Sequence, residues 1–430
     1  MTTTGNYQDT LTKKIVDYFD EHRENMVADL SDLVRLPSIS GTDEENEIQA
    51  RLAARLQGDG LDVDHWKIPL ADTLAQPDFP GAEVDRAEAF GVVGVLNGSG
   101  DGPSLMLNTH VDVVPPGNLD AWGGADPFNG RIDADAVHGR GTCDMKGGLV
   151  AALWTMRALS VLRVPLRGDL SIGTVVGEED GGLGTYAMLR RGWRADACII
   201  PEPTSLDLAP GNAGALTFRL EVRGAATHAS RRTSGVSAIE KFIPVFQAIR
   251  RLEARRNEVK HPLATRWELP IPIELGTVAA GDWASSVPDL LTANGRIGVG
   301  IGENVEAAKR ELEAALLELG DTDRWFREHP VEVTWWGGQF APSLTDPDAA
   351  IARTIRGAHE DVSSYRQDTW VTTYGSDLRL MNNIGGIPTV HYGPGDAALA
   401  HGPREFVPIS EMMTCAKALA LAAIRHCGVR

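Results

Sequence analysis

The sequence predicts an α/β protein: a mixed-sheet domain interrupted by a smaller α+β domain. Three observations predict it. Short, nearly continuous apolar runs, as buried strands show, occur at 104–109 (SLMLNT), 169–176 (DLSIGTVV), 196–200 (DACII) and 387–392 (IPTVHY). A largely apolar, helix-length stretch at 147–162 (GGLVAALWTMRALSVL) lies between the first two, giving strand, helix, strand. From about 213 to 339 the texture changes to alternating strands and amphipathic helices.

The elements follow in order. Residues 1–8 read as a frayed terminus. Residues 9–35 carry helical periodicity in Ile15, Tyr18, Phe19, Met26, Leu30, Leu33 and Val34, and Leu36-Pro37-Ser38 ends it. Residues 43–57 read as a second helix, acidic at its start and basic further on. After the first three buried strands, 215–224 alternates like a half-exposed strand, and 237–256 is a helix with apolar and basic faces despite Pro244. A strand at 292–301, a helix at 303–319 and a strand at 331–336 complete a unit with one open sheet face. Within 292–301, the run GVGIG lacks the third spaced glycine and the following Lys-Ser/Thr of a phosphate loop, so the strand reading holds. The expected division is a main domain at 1–212, an inserted domain at 213–339, and the main domain resuming at 340–430 with a final helix at 409–426.

At 430 residues, two or three folding units are expected, at roughly 100–200 residues each. Hydrophobic residues make up 43% and charged residues 23%, ordinary globular usage that argues against a disordered or coiled-coil chain. The formal net charge of −18 repels phosphate backbones, so no nucleic-acid partner is expected. No apolar run approaches the ~20 residues that span a bilayer, and the amino terminus has no signal-peptide pattern. Cys143, Cys198, Cys415 and Cys427 form no CxxC pair, which fits a reducing compartment and a cytoplasmic location.

The acids and histidines fall at strand ends. His110 and Asp112 follow the strand 104–109, Glu178 and Glu179 the strand 169–176, and Glu202 the strand 196–200. His401 lies in the loop after 387–392, and Asp144 stands just before the apolar helix. In open α/β sheets ligands bind outside the carboxyl ends of strands, and here four strands deliver His or carboxylate to that edge. Two imidazoles with several carboxylates suit zinc, or a related ion such as cobalt or manganese. Two adjacent cations require a shared anion, for which Asp144 is the natural bridge. His110 and Glu202 can complete one ion, Glu179 and His401 the other. Asp112, two residues from His110, can take the second ring N–H of that histidine, and Glu178 can accept a proton from water. Two metals acidify a bridging water and polarise a carbonyl, so the chemistry assembled is amide or peptide hydrolysis. No GxSxG is present to suggest a serine hydrolase, and Cys143 lacks a Cys–His signature and reads as a packing residue.

The motifs THVDVVPPGNLDAWGGADPFNG, GRGTCDMKGG, GEEDGGLG, PEPTS, ATHAS and LAHGPREFVPISEM, between about residues 26 and 413, resemble the di-zinc metallopeptidase superfamily of acetylornithine deacetylase, succinyl-diaminopimelate desuccinylase, aminoacylase and glutamate carboxypeptidase. The resemblance implies a zinc-peptidase catalytic domain with an inserted lid and dimerisation domain, two Zn²⁺ per subunit, and a homodimer formed through the lid. It implies the roles given above for His110, Asp112, Asp144, Glu178, Glu179, Glu202 and His401. It also implies a catalytic role for His228, acting on the partner subunit's site, and a cis peptide at Asp144–Met145. Glu at position 202 resembles deacylases and carboxypeptidases, whereas aminopeptidases tend to carry Asp. In YGSDLRLM, Arg379 resembles the arginine that grips a substrate carboxylate. The expected substrate is therefore a small N-acyl amino acid with a free carboxylate, with a dipeptidase or carboxypeptidase as the alternative and a non-catalytic scaffold dimer behind both. Two departures fall in the lid. Ser285 supplies a shorter hydroxyl to the substrate where the family has Asn, and Arg231-Arg232 stands where it has Arg-Pro.

Overall fold

The computed structural model describes residues 3–430. Helix α1 (Thr3–Glu21) starts at once, so the segment expected to fray is helical from Thr3, while residues 1 and 2 lie outside the described residues. The expected helix over 9–35 is two helices. The backbone leaves helical geometry at His22, whose Nδ1 bonds the Tyr18 carbonyl at 2.8 Å, and α2 (Arg23–Val34) follows. Helix α3 (Asp43–Gly58) opens on Asp43, Glu44 and Glu45, acids at the positive end of its dipole.

Two strands that the apolar-run reading missed come next, β1 (Asp62–Lys67) and β2 (Phe90–Leu96). β1 is mostly exposed, so it has no apolar run. The apolar run of β2 is interrupted by Gly91, where a Cβ would meet the Trp66 ring at 2.2 Å. Strand β3 (Leu105–His110), helix α4 (Gly147–Val161), strand β4 (Leu170–Val175) and strand β5 (Ala197–Ile200) stand as expected, and all three strands are wholly buried.

The insertion contributes β6 (Gly214–Arg223), the short β7 (Thr227–His228), α5 (Ala238–Arg256), β8 (Ile273–Ala280), the short β9 (Ser286–Val287), β10 (Leu290–Val299), α6 (Val305–Leu317) and β11 (Glu332–Phe340). The chain then supplies α7 (Ala350–Glu360), β12 (Thr389–His391) and α8 (Ile409–Cys427).

The large sheet has the order β1-β2-β4-β3-β5-β12. β1 and β2 run antiparallel to their neighbours, and β4, β3, β5 and β12 are parallel. Their carboxyl ends therefore leave on one edge, which sets up the site. Helix α4 is buried nearly all round because it lies between the sheet and α8, so it needs no polar stripe. Its first turn approaches the β5 end so closely that a Cβ on Gly148 would stand 1.9 Å from the Pro201 carbonyl oxygen. Glycine there lets Asp144 and Glu202 sit together.

The second sheet, β8-β10-β6-β11, is antiparallel throughout. β6 turns Leu216, Phe218, Leu220 and Val222 into a core shared with α5 and α6, separate from the main core. Its alternate residues, Thr217 and Arg219, lie on the open face. This unit is tied to the main body. Gln339 N–H donates to the Pro80 carbonyl at 2.8 Å, Thr217 Oγ1 to Glu83 at 2.8 Å, and Trp267 Nε1 to the Val371 carbonyl at 2.8 Å. Among the described residues, no helix is long and apolar enough to cross a membrane.

Candidate metal centre

Strand β3 ends on His110, which is 1% exposed. Its Nδ1–H donates to the Asp112 backbone carbonyl at 2.9 Å, so Nε2 is the nitrogen turned to the sheet edge. There it meets Asp144 Oδ1 at 3.1 Å and Glu202 Oε1 at 3.7 Å. Asp112 fixes the ring as expected, but with its main chain. Its carboxylate stands 3.7 Å from Nδ1 and is engaged elsewhere. It accepts the backbone N–H groups of Glu178 and Glu179, each at 3.2 Å, and the Ser40 hydroxyl at 2.9 Å. The acidic loop after β4 thereby hangs from Asp112.

Asp144 sits between two imidazoles, with Oδ1 facing His110 and Oδ2 3.5 Å from His401 Nε2. His401 adopts φ +61° in its loop and also meets Glu179 Oε2 at 3.1 Å. The Asp144–Met145 peptide is cis. Ligand atoms of His110, Asp144 and Glu179 fall within 4.8 Å of one another, as do those of His110, Glu178 and Glu202. Residues remote in sequence, expected to meet at one edge, do meet there.

The electrostatics demand positive charge. Burial pushes the carboxyls of Glu178, Glu179 and Glu202 up, and their mutual repulsion adds to it. Burial opposes charge on His110, but its bond to Asp144 and the surrounding acids prevail and hold it protonated well above the usual histidine range. Glu179 is the main cause that raises His401 to about 11. The Asp144 carboxyl is desolvated, yet the two imidazoles hold it well below the ordinary range. Protons thus gather where a divalent cation would satisfy the same donors. Two imidazole nitrogens and shared carboxylates, with Asp144 able to face two ions, fit such ions.

The residues that hold this arrangement were not singled out from sequence. Glu405 is 1% exposed, accepts the N–H groups of Cys143 at 3.1 Å and Asp144 at 3.3 Å, and pairs with buried Arg140. Its signal was an acid four residues after His401 in HGPRE. Arg86 joins Glu45 at 2.9 Å to Asp180 at 2.9 Å behind the acidic loop, and its sequence surroundings carry no signal.

A cleft of about 630 Å³ opens over the cluster. Asp144, Glu178, Glu179, Glu202 and His401 line one side, and Thr217, Arg296 and Trp336 of the second sheet line the other. Arg379, expected to grip a substrate carboxylate, is not at the cleft. It is 2% exposed, donates to the carbonyls of Ser376 at 2.7 Å and Gly181 at 2.8 Å, and lies 3.9 Å from the Phe340 ring centroid. Its guanidinium is consumed in holding the Gly181 loop. The arginine that does line the cleft is Arg296, paired through its backbone with Thr217 and Glu274, with the Glu83 carboxylate as its charged neighbour. His228 and Ser285 lie together at the β7/β9 ribbon, away from the cleft lining of their own chain. His228 Nδ1 accepts the Ser230 backbone N–H at 3.1 Å, which leaves Nε2–H free to donate outward.

The family model described as peptidase family M20/M25/M40 matches residues 106–425. The chain is 27% identical to an N-formyl-4-amino-5-aminomethyl-2-methylpyrimidine deformylase of Halalkalibacterium halodurans, over 98% of this chain and 99% of that protein. It is 35% identical to a succinyl-diaminopimelate desuccinylase of Methylobacterium, over 84% of this chain and 86% of that protein. Among solved structures, the dipeptidase Dug1p of Saccharomyces cerevisiae has the same fold, with a TM-score of 0.76 at 14% identity over 96% of this chain and 98% of that one.

Proposed function

The chain belongs to peptidase family M20/M25/M40 and is a metal-dependent hydrolase of C–N amide bonds, and from that premise we propose that it deacylates a small N-acyl amino acid. The observation that carries this reading is Asp144, whose two oxygens each face an imidazole. In this reading Asp144 would be shared by two zinc ions, with cobalt or manganese as substitutes. His110 and Glu202 would hold one ion, and Glu179 and His401 the other. The chemistry such ions would supply when bound is Lewis acidity towards an amide carbonyl and an acidified water. Glu178 takes the proton of that water and passes it to the departing nitrogen. Asp112 keeps His110 in one tautomer through its carbonyl and keeps Glu178 in place through its carboxylate.

Arg296 reads the substrate carboxylate, a role supported by its place on the cleft and by the fit of a guanidinium fork to a carboxylate. Residues 213–339 act as a lid on a catalytic domain built from 1–212 and 340–430. The lid also pairs two copies. Ile239, Ile243 and Phe246 of α5 are 43–55% exposed, and Val278 on the edge strand β8 is 52% exposed. His228 then serves the partner subunit's site, with Ser285 beside it. Four free buried cysteines support a cytoplasmic setting.

A second reading follows from Trp336 and Phe340 in the cleft wall, which give it an aromatic lining suited to an aromatic N-acyl amine without a carboxylate. The test is hydrolysis by chelated and metal-reloaded protein over N-acyl amino acids, dipeptides and N-formyl arylmethylamines. Zinc-restored turnover fastest on N-acyl amino acids is expected. Preference for dipeptides or formamides would replace the substrate assignment, and full turnover by metal-free protein would overturn the metal chemistry.

A further inference from the structure

Tyr374 presents a phenol to the cleft beside Asp144, Glu178 and Glu202. Its hydroxyl is buried and has no hydrogen-bond partner among the described residues. An unpaired buried hydroxyl costs about 1–3 kcal/mol, and natural folds rarely leave one without a purpose. The segment around it is firmly held. Thr372 Oγ1 donates to the Tyr374 carbonyl at 2.9 Å, Ser376 Oγ bonds His391 Nε2 at 2.7 Å, and Arg379 donates to the Ser376 carbonyl at 2.7 Å. The missing partner must therefore come from what enters the cleft.

An ordinary phenol keeps its proton at neutral pH, near 10 being its usual pKa. Tyr374 is therefore a hydrogen-bond donor, placed beside the carboxylates of Glu202 and Asp144. None of those carboxylates accepts its proton in this arrangement. A substrate amide contributes two polar groups at the reacting centre, a nitrogen that leaves as an amine and a carbonyl oxygen that becomes anionic when water adds. The oxygen is the group whose demand for a donor rises in the transition state.

We propose that Tyr374 is a catalytic residue whose hydroxyl donates a hydrogen bond to the substrate's carbonyl oxygen as that oxygen becomes negative. No bond of the tyrosine breaks. Its proton stays on the phenol oxygen, while the proton of the attacking water travels through Glu178 to the nitrogen. The donor belongs to the same chain as the metal cluster, so each subunit has one oxyanion contact that does not depend on its partner. The proposal rests on the amide-hydrolase reading above.

The test uses metal-loaded protein and Tyr374→Phe, which removes one oxygen and keeps the ring. Three readings are expected together: kcat falls about 10²–10³-fold with KM within a few-fold, metal content is unchanged, and calorimetric affinity for a phosphonamidate mimic of the tetrahedral state falls by a similar factor. Affinity for an unreactive substrate analogue should hold. Unchanged kcat, a change confined to KM, or loss of metal would each overturn the proposal, the last by making Tyr374 a ligand. Should Tyr374→Phe misfold, 3,5-difluorotyrosine at 374 gives a stronger donor, and tighter binding of the mimic is expected; weaker or equal binding would overturn it. Wild-type protein with no amidase activity would instead overturn the underlying functional reading, which keeps the two failures distinct.

Discussion

The carboxylate of Asp112 accepts the backbone N–H of Glu178 at 3.2 Å. Its other oxygen does the same for Glu179 at 3.2 Å, and the Asp112 carbonyl fixes His110 at 2.9 Å. One residue thus orients a candidate base and two candidate ligands. Asp112→Asn keeps the shape and the carbonyl but replaces one acceptor oxygen with an amide that must face an N–H. Loss of such a supporting contact typically costs 10–100-fold in metal affinity or activity. We expect both to fall by about that much, read by metal titration and kcat. Wild-type values for both would show that the loop holds without Asp112.

Glu178→Gln tests the proton carrier. Gln is nearly isosteric and cannot take a proton, so kcat should fall about 10²–10⁴-fold. Both ions should remain, measured by elemental analysis. A variant that loses an ion with its activity would make Glu178 a ligand, a role its closeness to His110 and Glu202 makes worth checking.

Two arginines have opposite expectations. Arg379→Ala removes donors from the carbonyls of Ser376 and Gly181 and a cation from the face of Phe340. Bonds from charged donors are worth about 1.5–3 kcal/mol each, so Tm should drop by several degrees. Activity should suffer equally on carboxylate-bearing and amidated substrates. Arg296→Ala should leave Tm nearly unchanged and raise KM about 10–100-fold for carboxylate substrates alone. Carboxylate-selective damage from Arg379→Ala would reverse the assignment.

The contrast between these arginines shows what the sequence could reveal. Strand ends were legible because β3, β4 and β5 are buried on both faces and read as apolar runs. The residues that follow them, His110, Glu179 and Glu202, were therefore placed on one edge without coordinates. Arg379 was visible in a motif, but whether a guanidinium faces a cleft or a carbonyl depends on where the Gly181 loop lies, and spacing does not record that. Arg296 sits in a strand between two ordinary apolar positions, so only the pairing of β10 with β6, which puts Arg296 opposite Thr217, turns it to the cleft. β8 escaped notice because its pattern is mostly exposed, as befits an edge.

His391 is expected to contribute to acid sensitivity. It is fully buried on β12, Nε2 meets the Ser376 hydroxyl at 2.7 Å, and Nδ1 has no partner among the described residues. Burial lowers its pKa from 6.5 to about 3. The folded state keeps His391 neutral between those values while the unfolded chain binds the proton. Stability is therefore intact above pH 6.5 and is lost as pH falls from 6.5 towards 3, by about 2 kcal/mol at pH 5. His391→Gln should flatten that part of the curve in denaturant titrations run at a series of pH values. An unchanged slope would assign the acid sensitivity to other groups.

The histidine of the β7/β9 ribbon makes the last prediction. His228 stands on the β7/β9 ribbon, outside the cleft lining of its own chain. Ser230 N–H occupies its Nδ1, so Nε2–H points a donor outward from an exposed position. An aimed donor with no target in its own chain fits a target in a second copy, and the exposed apolar residues of α5 and β8 offer the contact. A donor of this kind can be worth about 10²–10³ in kcat. His228→Ala and Glu178→Gln should each be nearly inactive as pure dimers. When subunits exchange, one site of the hybrid has its own Glu178 and receives His228 from the partner. Activity in the isolated hybrid should return towards half of wild type. A hybrid as inactive as its parents, with exchange proven by differential tags, would put His228 to work in its own subunit or outside catalysis.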